Sequence, residues 1–353
     1  MDTKPNFERL LKAVNHKEPD RVPLAELQID TPIMEAYFGR KLEGIKDEIK
    51  FWAEHGYDFY CPSLHYSVGD LVKFQPHREK YSLQTQEESE RHWAPEHKGV
   101  IQSLDDFYKV PWRDPVDDDF KSIKEAEKFI PSGMGIIAHV GGFYEFVWQL
   151  MGFETFSYAL ADNIELIEKI SNKVGKIQFK HFEGAISFNC VKGVWLCDDI
   201  AYTEGLMVSP DFYRKYVFPW HKKIGKICRE KKLPLIYHSD GDLRAVIKDI
   251  INNGVNVLHP IEPKAMDIVE LKKKYGDLLA FAGNIDLGYT LSLGTPDDVR
   301  REARERIKAL APGGGYLLGS SNSIPEYVPL ANFEAMCEAA IEYGKYPINL
   351  KDF

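Results

Sequence analysis

The chain has 353 residues, 44% hydrophobic and 12% aromatic, an ordinary globular composition with enough apolar material for a large core. Its formal charge of −9, from 45 basic and 54 acidic residues without a basic run, argues against nucleic acid or an anionic membrane as partner. No apolar run approaches the ~18 residues a membrane-spanning helix needs, and five scattered cysteines without CxxC spacing predict reduced thiols in a cytoplasmic protein.

The opening Met1-Asp2-Thr3-Lys4-Pro5 has no apolar stretch of the secretory kind. Asn6 to Val14 reads as an amphipathic helix with Phe7, Leu10, Leu11 and Val14 on one face, stopped before Pro19. Strand candidates follow at Arg21 to Gln28, Tyr57 to Ser63, Met134 to Val140, Val194 to Cys197, Leu235 to His238, Val255 to Pro260, Leu279 to Gly283 and Tyr316 to Leu318. Helical patterns lie between the later ones: Ile164 to Phe188, Pro210 to Lys231 capped by Ser209, Leu243 to Asn252, Ile268 to Tyr275, and Asp297 to Leu310 behind Thr295-Pro296. Glu334 to Tyr343 closes the series. Strands that alternate with helices predict parallel βαβ units. About eight such units predict an α/β chain of one domain, residues 1–353, folded as a (β/α)8 TIM barrel. The polar and aromatic stretch from Val68 to Arg113 breaks the alternation and reads as a β-rich excursion between strands two and three.

In such a barrel the chemistry sits where strands end. Those ends hold Glu26, Gln28 and Asp30; Ser63 and His65; His139 and Gly141-Gly142-Phe143-Tyr144; Asp198 and Asp199; His238, Asp240 and Asp242; His259 and Glu262; Asn284 and Asp286; and Ser320, Ser321 and Asn322. A mouth this rich in carboxylate and imidazole suits a divalent metal or a proton-transferring site. His238 and Asp240 lie two apart on a strand and share a face, as two ligands of one metal do, or as an imidazole and its orienting carboxylate do. Asp198 and Asp199 point opposite ways, one to the mouth and the other to a cap or pair. The plain readings are an N-cap for Asp242, a turn for Asn284 and Asp286, a core position for His259, and buried filler for Cys61 and Cys197. No G-x-S-x-G, P-loop or HExxH occurs.

Phe7-Glu8-Arg9-Leu10-Leu11-Lys12-Ala13, then Glu18-Pro19-Asp20-Arg21-Val22-Pro23, resembles the opening of the uroporphyrinogen decarboxylase superfamily. The resemblance continues through Gly141-Gly142-Phe143, Met151-Gly152-Phe153-Glu154, Asp198-Asp199 and His238-Ser239-Asp240-Gly241-Asp242. It ends with Phe281-Ala282-Gly283-Asn284-Ile285-Asp286, Gly313-Gly314-Gly315-Tyr316 and Ile324-Pro325, so it covers nearly the whole chain. It too implies a (β/α)8 barrel. True decarboxylases of the family carry an arginine-rich N-terminal segment and an Asp after the second strand. Here Glu26-Leu27-Gln28-Ile29-Asp30 and Cys61-Pro62-Ser63 stand instead, and Leu318-Gly319-Ser320-Ser321 lacks the family's late His.

The corrinoid-dependent methyltransferase branch is the nearer resemblance. It implies methyl transfer from a small methylated or methoxylated compound, such as an aryl methyl ether in O-demethylation, to a corrinoid carried by a separate protein. Thiol-using members bind zinc through H-x-C and a later Cys. His238 matches that His, Asp240 stands where the first Cys would be, and Ser320 or Ser321 where the second would be. The resemblance thus implies an oxygen-rich zinc site on His238, Asp240 and Glu262, with Asp199 as a further catalytic group. Asp198, Phe143, Tyr144, Asn284 and Ser320 would bind substrate, with Tyr66, Phe74, Trp93 and Trp148 framing an aromatic one. A cofactor-free decarboxylase and a catalytically silent binding protein are the alternatives.

Overall fold

The computed structural model describes residues 3–64, 68–72, 75–80, 88–93 and 96–349, the pieces 75–80 and 88–93 through their backbone alone. Its centre is a curled sheet of seven parallel strands hydrogen-bonded in chain order. They are β1 Phe59–Tyr60, β2 Gly135–Gly141, β3 Val191–Cys197, β4 Leu235–His238, β5 Val257–His259, β6 Ala280–Ile285 and β7 Tyr316–Ser320. β4, β5, β6 and β7 are buried along their whole length, which is why they read as near-continuous apolar runs. Helices Ile164–Ala185, Phe218–Lys231, Ile247–Asn252, Ile268–Tyr275 and Pro296–Leu310 connect successive strands from β2 to β7, and Leu330–Tyr343 follows β7. Among the described residues no helix is long and apolar enough to cross a membrane.

The first expected strand, Arg21 to Gln28, differs from the expectation. It lies beside β7 through an isolated parallel bridge, Leu24 to Leu318, with a second, Ile29 to Ile324, just beyond both segments, and forms no ladder with β1 among the described residues. Pro23 has no N–H to donate, so a continuous ladder cannot run through it. The barrel therefore has seven ladder strands and a bridged eighth position. The expected helix from Pro210 to Lys231 is two, Pro210–Tyr216 and Phe218–Lys231, because Pro219 removes a backbone donor at the junction. Ser209 and Thr295 cap their helices as the sequence predicts. The excursion carries the expected hairpin, Gln75–Lys80 paired antiparallel with Glu88–Trp93. His65, Tyr66 and Phe74 lie outside the described residues, as does the side chain of Trp93.

Inside the barrel, side chains from alternate strands meet in a layer. Phe59 of β1 lies 5.9 Å from Trp195 of β3, and Trp195 lies edge-on to His259 of β5 at 4.9 Å. This packed floor supports the strand ends above it.

Candidate metal centre at the barrel mouth

Register places the key groups. Cys197, His238 and His259 are paired Cα partners across β3, β4 and β5, so all three point to one side of the sheet. Two residues beyond each of Cys197 and His238, Asp199 and Asp240 return to that side. His238 Nε2 then lies 3.6 Å from Asp199 Oδ1 and 3.8 Å from Asp240 Oδ1. One ligand atom from each of Asp199, His238 and Asp240 lies within 4.8 Å of the others, the spacing of a three-ligand cation site.

Each carboxylate is held by a second group. The Asp240 backbone N–H donates to Asp199 Oδ1 at 2.9 Å, and Asn322 Nδ2 donates to Asp240 Oδ2 at 2.7 Å. Asp240 Oδ1, the oxygen facing His238, is buried without a hydrogen-bond partner. Burial, then the charges of Asp199 and Glu262, pushes the Asp240 carboxyl well above its ordinary range. Burial lowers the His238 imidazole, with Asp199 opposing. His238 is 6% exposed, and its Nδ1 lies 2.8 Å from Nδ1 of the fully buried His259. His139, at the end of β2, is pushed down to about 3 by burial, then by His238 and His181.

The structure separates the predicted site residues. His238, Asp240 and Asp199 come together; Glu262 does not join their cluster and instead accepts the Gly241 backbone N–H at 2.8 Å. Asp199 rather than Glu262 is thus the third member, because the loop after β5 spends the Glu262 carboxylate on that amide. Asp198 faces away from the mouth, as the alternation of adjacent residues requires. It is fully buried, accepts the backbone N–H groups of Tyr144 and Glu145 at 2.9–3.1 Å and lies 3.2 Å from His221 Nε2. Phe143 and Tyr144 are also buried. Phe143 packs on Trp220 and His221, and Tyr144 on Phe156, Phe212 and Tyr213. These three side chains are packed between the barrel and its outer helices, so none of them presents exposed surface at the mouth. Asn284, at φ 81°, donates to Ile261 O at 2.5 Å, and Ser320 donates from its backbone and Oγ to the buried Glu26 carboxyl at 2.6 and 2.7 Å. Both are buried; the Ser320 hydroxyl is spent on Glu26, whereas Asn284 Oδ1 is left without a hydrogen-bond partner. Asp286 shapes the turn by accepting from Gly288 N, as predicted. Asp242 binds Arg244, and the next helix begins only at Ile247, so Asp242 orders a turn and not a helix start.

Sequence reasoning missed one group and one contact. Glu145, first residue of helix Glu145–Met151, has its carboxyl raised well above the ordinary range by burial, then by Asp199, Asp198 and Asp240, while accepting the Asp199 backbone N–H. Its position one residue past the strand-three turn was the available signal. The His238–His259 contact left no local signal, since the two are 21 residues apart. Beside the triad a cavity of about 190 Å³ is lined by Glu262, Lys264, Asp286, Asn322 and Tyr327. A larger one, about 760 Å³, lies at the opposite end of the barrel among Lys12, Lys17, Arg229 and Lys232, away from every group described above. The chemistry of the side chains, not cavity size, marks the mouth as the candidate site.

A family model described as uroporphyrinogen decarboxylase (URO-D) matches residues 88–343. The chain belongs to this family. Among curated relatives of this URO-D chain, the methylcobamide:CoM methyltransferase MtaA of Methanosarcina barkeri is 28% identical over 148 residues, 42% of the chain and 41% of that protein. A uroporphyrinogen decarboxylase of Coxiella burnetii (strain Dugway 5J108-111) is 25% identical over 154 residues, 42% of the chain and 41% of that protein. The URO-D chain thus matches about two fifths of the length of these relatives. A solved methyltransferase from Methanosarcina mazei superposes with a TM-score of 0.71 at 16% identity, covering 95% of this chain and 98% of that one, which shows the shared fold.

Proposed function

We propose that the protein is a methyltransferase that moves a methyl group from a small methylated compound to a corrinoid carried by a separate protein, with a divalent cation, zinc first among the candidates, at the mouth. The single observation that carries this reading is the buried, unpartnered Asp240 Oδ1 facing His238 Nε2 and Asp199. Burial and the neighbouring carboxylates disfavour the Asp240 anion, and a cation between these three groups would offset that cost. One imidazole and two carboxylates form a borderline-hard donor set that suits zinc, manganese or iron. His238, Asp199 and Asp240 would hold the ion, and Asn322 would fix the Asp240 carboxylate. When bound, such an ion supplies a Lewis acid for the heteroatom that loses its methyl group. The names of the relatives support methyl transfer.

An aryl methyl ether is one donor of this class. Because Phe143 and Tyr144 are buried in the core, the aromatic character of the donor rests on the excursion and on Trp148 alone. The decarboxylase relatives make carboxylate substrates the second reading. The mouth offers it little: Lys264 lines the cavity beside the triad, but Asp199, Asp240, Glu145 and Glu262 have no arginine or lysine within salt-bridge distance among the described residues.

The test is elemental analysis of protein purified without chelator, beside His238→Ala, followed by a panel of methyl ethers, methylamines and methyl thioethers with reduced cobalamin. About one divalent ion per chain, lost in the variant, with methylcobalamin formed from one donor, is the expected result. A protein that binds no metal and releases carbon dioxide from a carboxylate overturns it.

A further inference from the structure

The sequence placed His259 before Pro260 as a core histidine, and no role in the proposed chemistry has yet used it. Its burial is complete, its ring is fixed edge-on to Trp195, and its Nδ1 meets His238 Nδ1 at 2.8 Å. The rings lie 5.0 Å apart, tilted by 34°. Two imidazole nitrogens at this distance must share one proton: two N–H groups would clash, and two lone pairs would repel. One ring is therefore the Nδ1–H tautomer and the other the Nε2–H tautomer.

We propose that His259 is the positioning residue of the mouth, a tautomer partner that commits His238 Nε2 to the site and whose own proton moves oppositely when that nitrogen changes role. The inference rests on the metal reading only for the direction of the change. Without a cation, His259 Nδ1–H donates to His238 Nδ1. His238 then carries its proton on Nε2, toward Asp199 and Asp240 at 3.6 and 3.8 Å. His259 Nε2, buried without a partner, is then a bare acceptor and not an unpaired donor. With a cation on His238 Nε2, that nitrogen must offer its lone pair, so the His238 proton sits on Nδ1 and donates to His259, whose proton moves to Nε2. Both rings stay neutral, one proton resides on each in either state, and no net proton enters or leaves the pair. A ligating histidine ordinarily gives its second nitrogen to a carboxylate or carbonyl. Here that place is taken by a ring that can both donate and accept, so the contact persists in both states, and with a cation bound the His259 Nε2–H is the buried group left without a partner.

The full chain with 15N-labelled histidine, stripped of metal and then titrated with zinc, provides the test by long-range 1H–15N NMR, which distinguishes protonated from bare ring nitrogens. The expected spectrum has His238 as Nε2–H and His259 as Nδ1–H before zinc, and the reverse after one equivalent. His259→Phe, which removes the partner, is expected to weaken zinc binding by about 10–100-fold against a competing chelator, and His259→Asn, which keeps a partner able to donate or accept, to restore most of it. Two rings in the same tautomer, or tautomers unmoved while zinc binds stoichiometrically, overturn the inference and leave the metal reading standing. Opposite tautomers in a protein that takes up no zinc support the shared-proton contact and overturn the metal reading instead. The wild-type spectra decide the matter even where His259→Phe does not fold.

Discussion

At the N-terminal end of the barrel Arg9 donates two 2.8 Å hydrogen bonds to Asp20 and another to the buried Asp58, which also accepts the Asn6 backbone N–H. At the C-terminal end Asp199 and Asp240 have only the imidazole of His238 within salt-bridge distance among the described residues. Asp58 is pushed up to about 6 by burial even with Arg21 and Arg9 opposing, whereas the Asp240 carboxyl has no cation to oppose its rise. One end uses charge to tie the first helix to the start of β1. The other crowds carboxyl groups with no lysine or arginine in salt-bridge distance among the described residues, and burial with mutual repulsion raises Asp240 and Glu145 well above their ordinary range. Compensated buried carboxylates mark structure, and uncompensated ones mark a site kept ready for something that binds.

Substitutions at the two ends sharpen or break that contrast. Asp199→Asn should have the largest functional effect: loss of the bound ion and a fall in methyl transfer of about three orders of magnitude or more. Its thermal stability should be unchanged or higher, because it relieves like-charge repulsion. A large loss of stability in this variant, with metal content intact, would make the mouth a structural cluster like the other end.

The mirror experiment is Arg9→Met. It removes the guanidinium hydrogen-bonded to the buried Asp58, leaving Arg21 as the remaining cation, and should cost about 3–5 kcal/mol in denaturant unfolding. Metal content should stay as in the wild type. If both quantities fall together, the two ends are not separable.

Glu26 gives a smaller and pH-dependent effect. Burial raises its carboxyl to about 8, with the two Ser320 hydrogen bonds opposing. The folded state therefore keeps a proton that the unfolded chain loses near 4.5. The resulting stability is fully present below that pH and is lost as pH rises through about 8. Glu26→Gln should abolish this decline. The variant should exceed the wild type by on the order of a few kcal/mol in urea unfolding above pH 8. Parallel pH curves for the two proteins would show that Glu26 is already ionised when folded.

Asn322→Ala is the mildest change. It removes the donor to Asp240 Oδ2 and should weaken zinc binding by about 10–100-fold without changing stoichiometry. An unchanged affinity would mean that Asp240 is oriented by its backbone alone.

The sequence by itself determined the alternation of strands and helices, the β-hairpin excursion and the side of the sheet on which each strand-end residue falls. A period of two needs no partner to be read, so His238 with Asp240 on one face, and Asp199 opposed to Asp198, followed from spacing alone. Tertiary structure decided which residues on the same side meet. Asp199 and not Glu262 completes the triad because the β3–β4 register sets Cys197 beside His238, while the loop after β5 turns Glu262 to the Gly241 amide. Tyr144 goes to the core because Asp198 holds its backbone N–H, and Phe143 beside it packs on Trp220 and His221, on a helix far along the chain. The His238–His259 contact, and the crowding of Glu145 against Asp199, likewise exist only once parallel strands are brought side by side. Local periodicity fixes orientation within one strand. Distances between strand ends depend on register and on how the connecting loops close, and those are set by long-range packing.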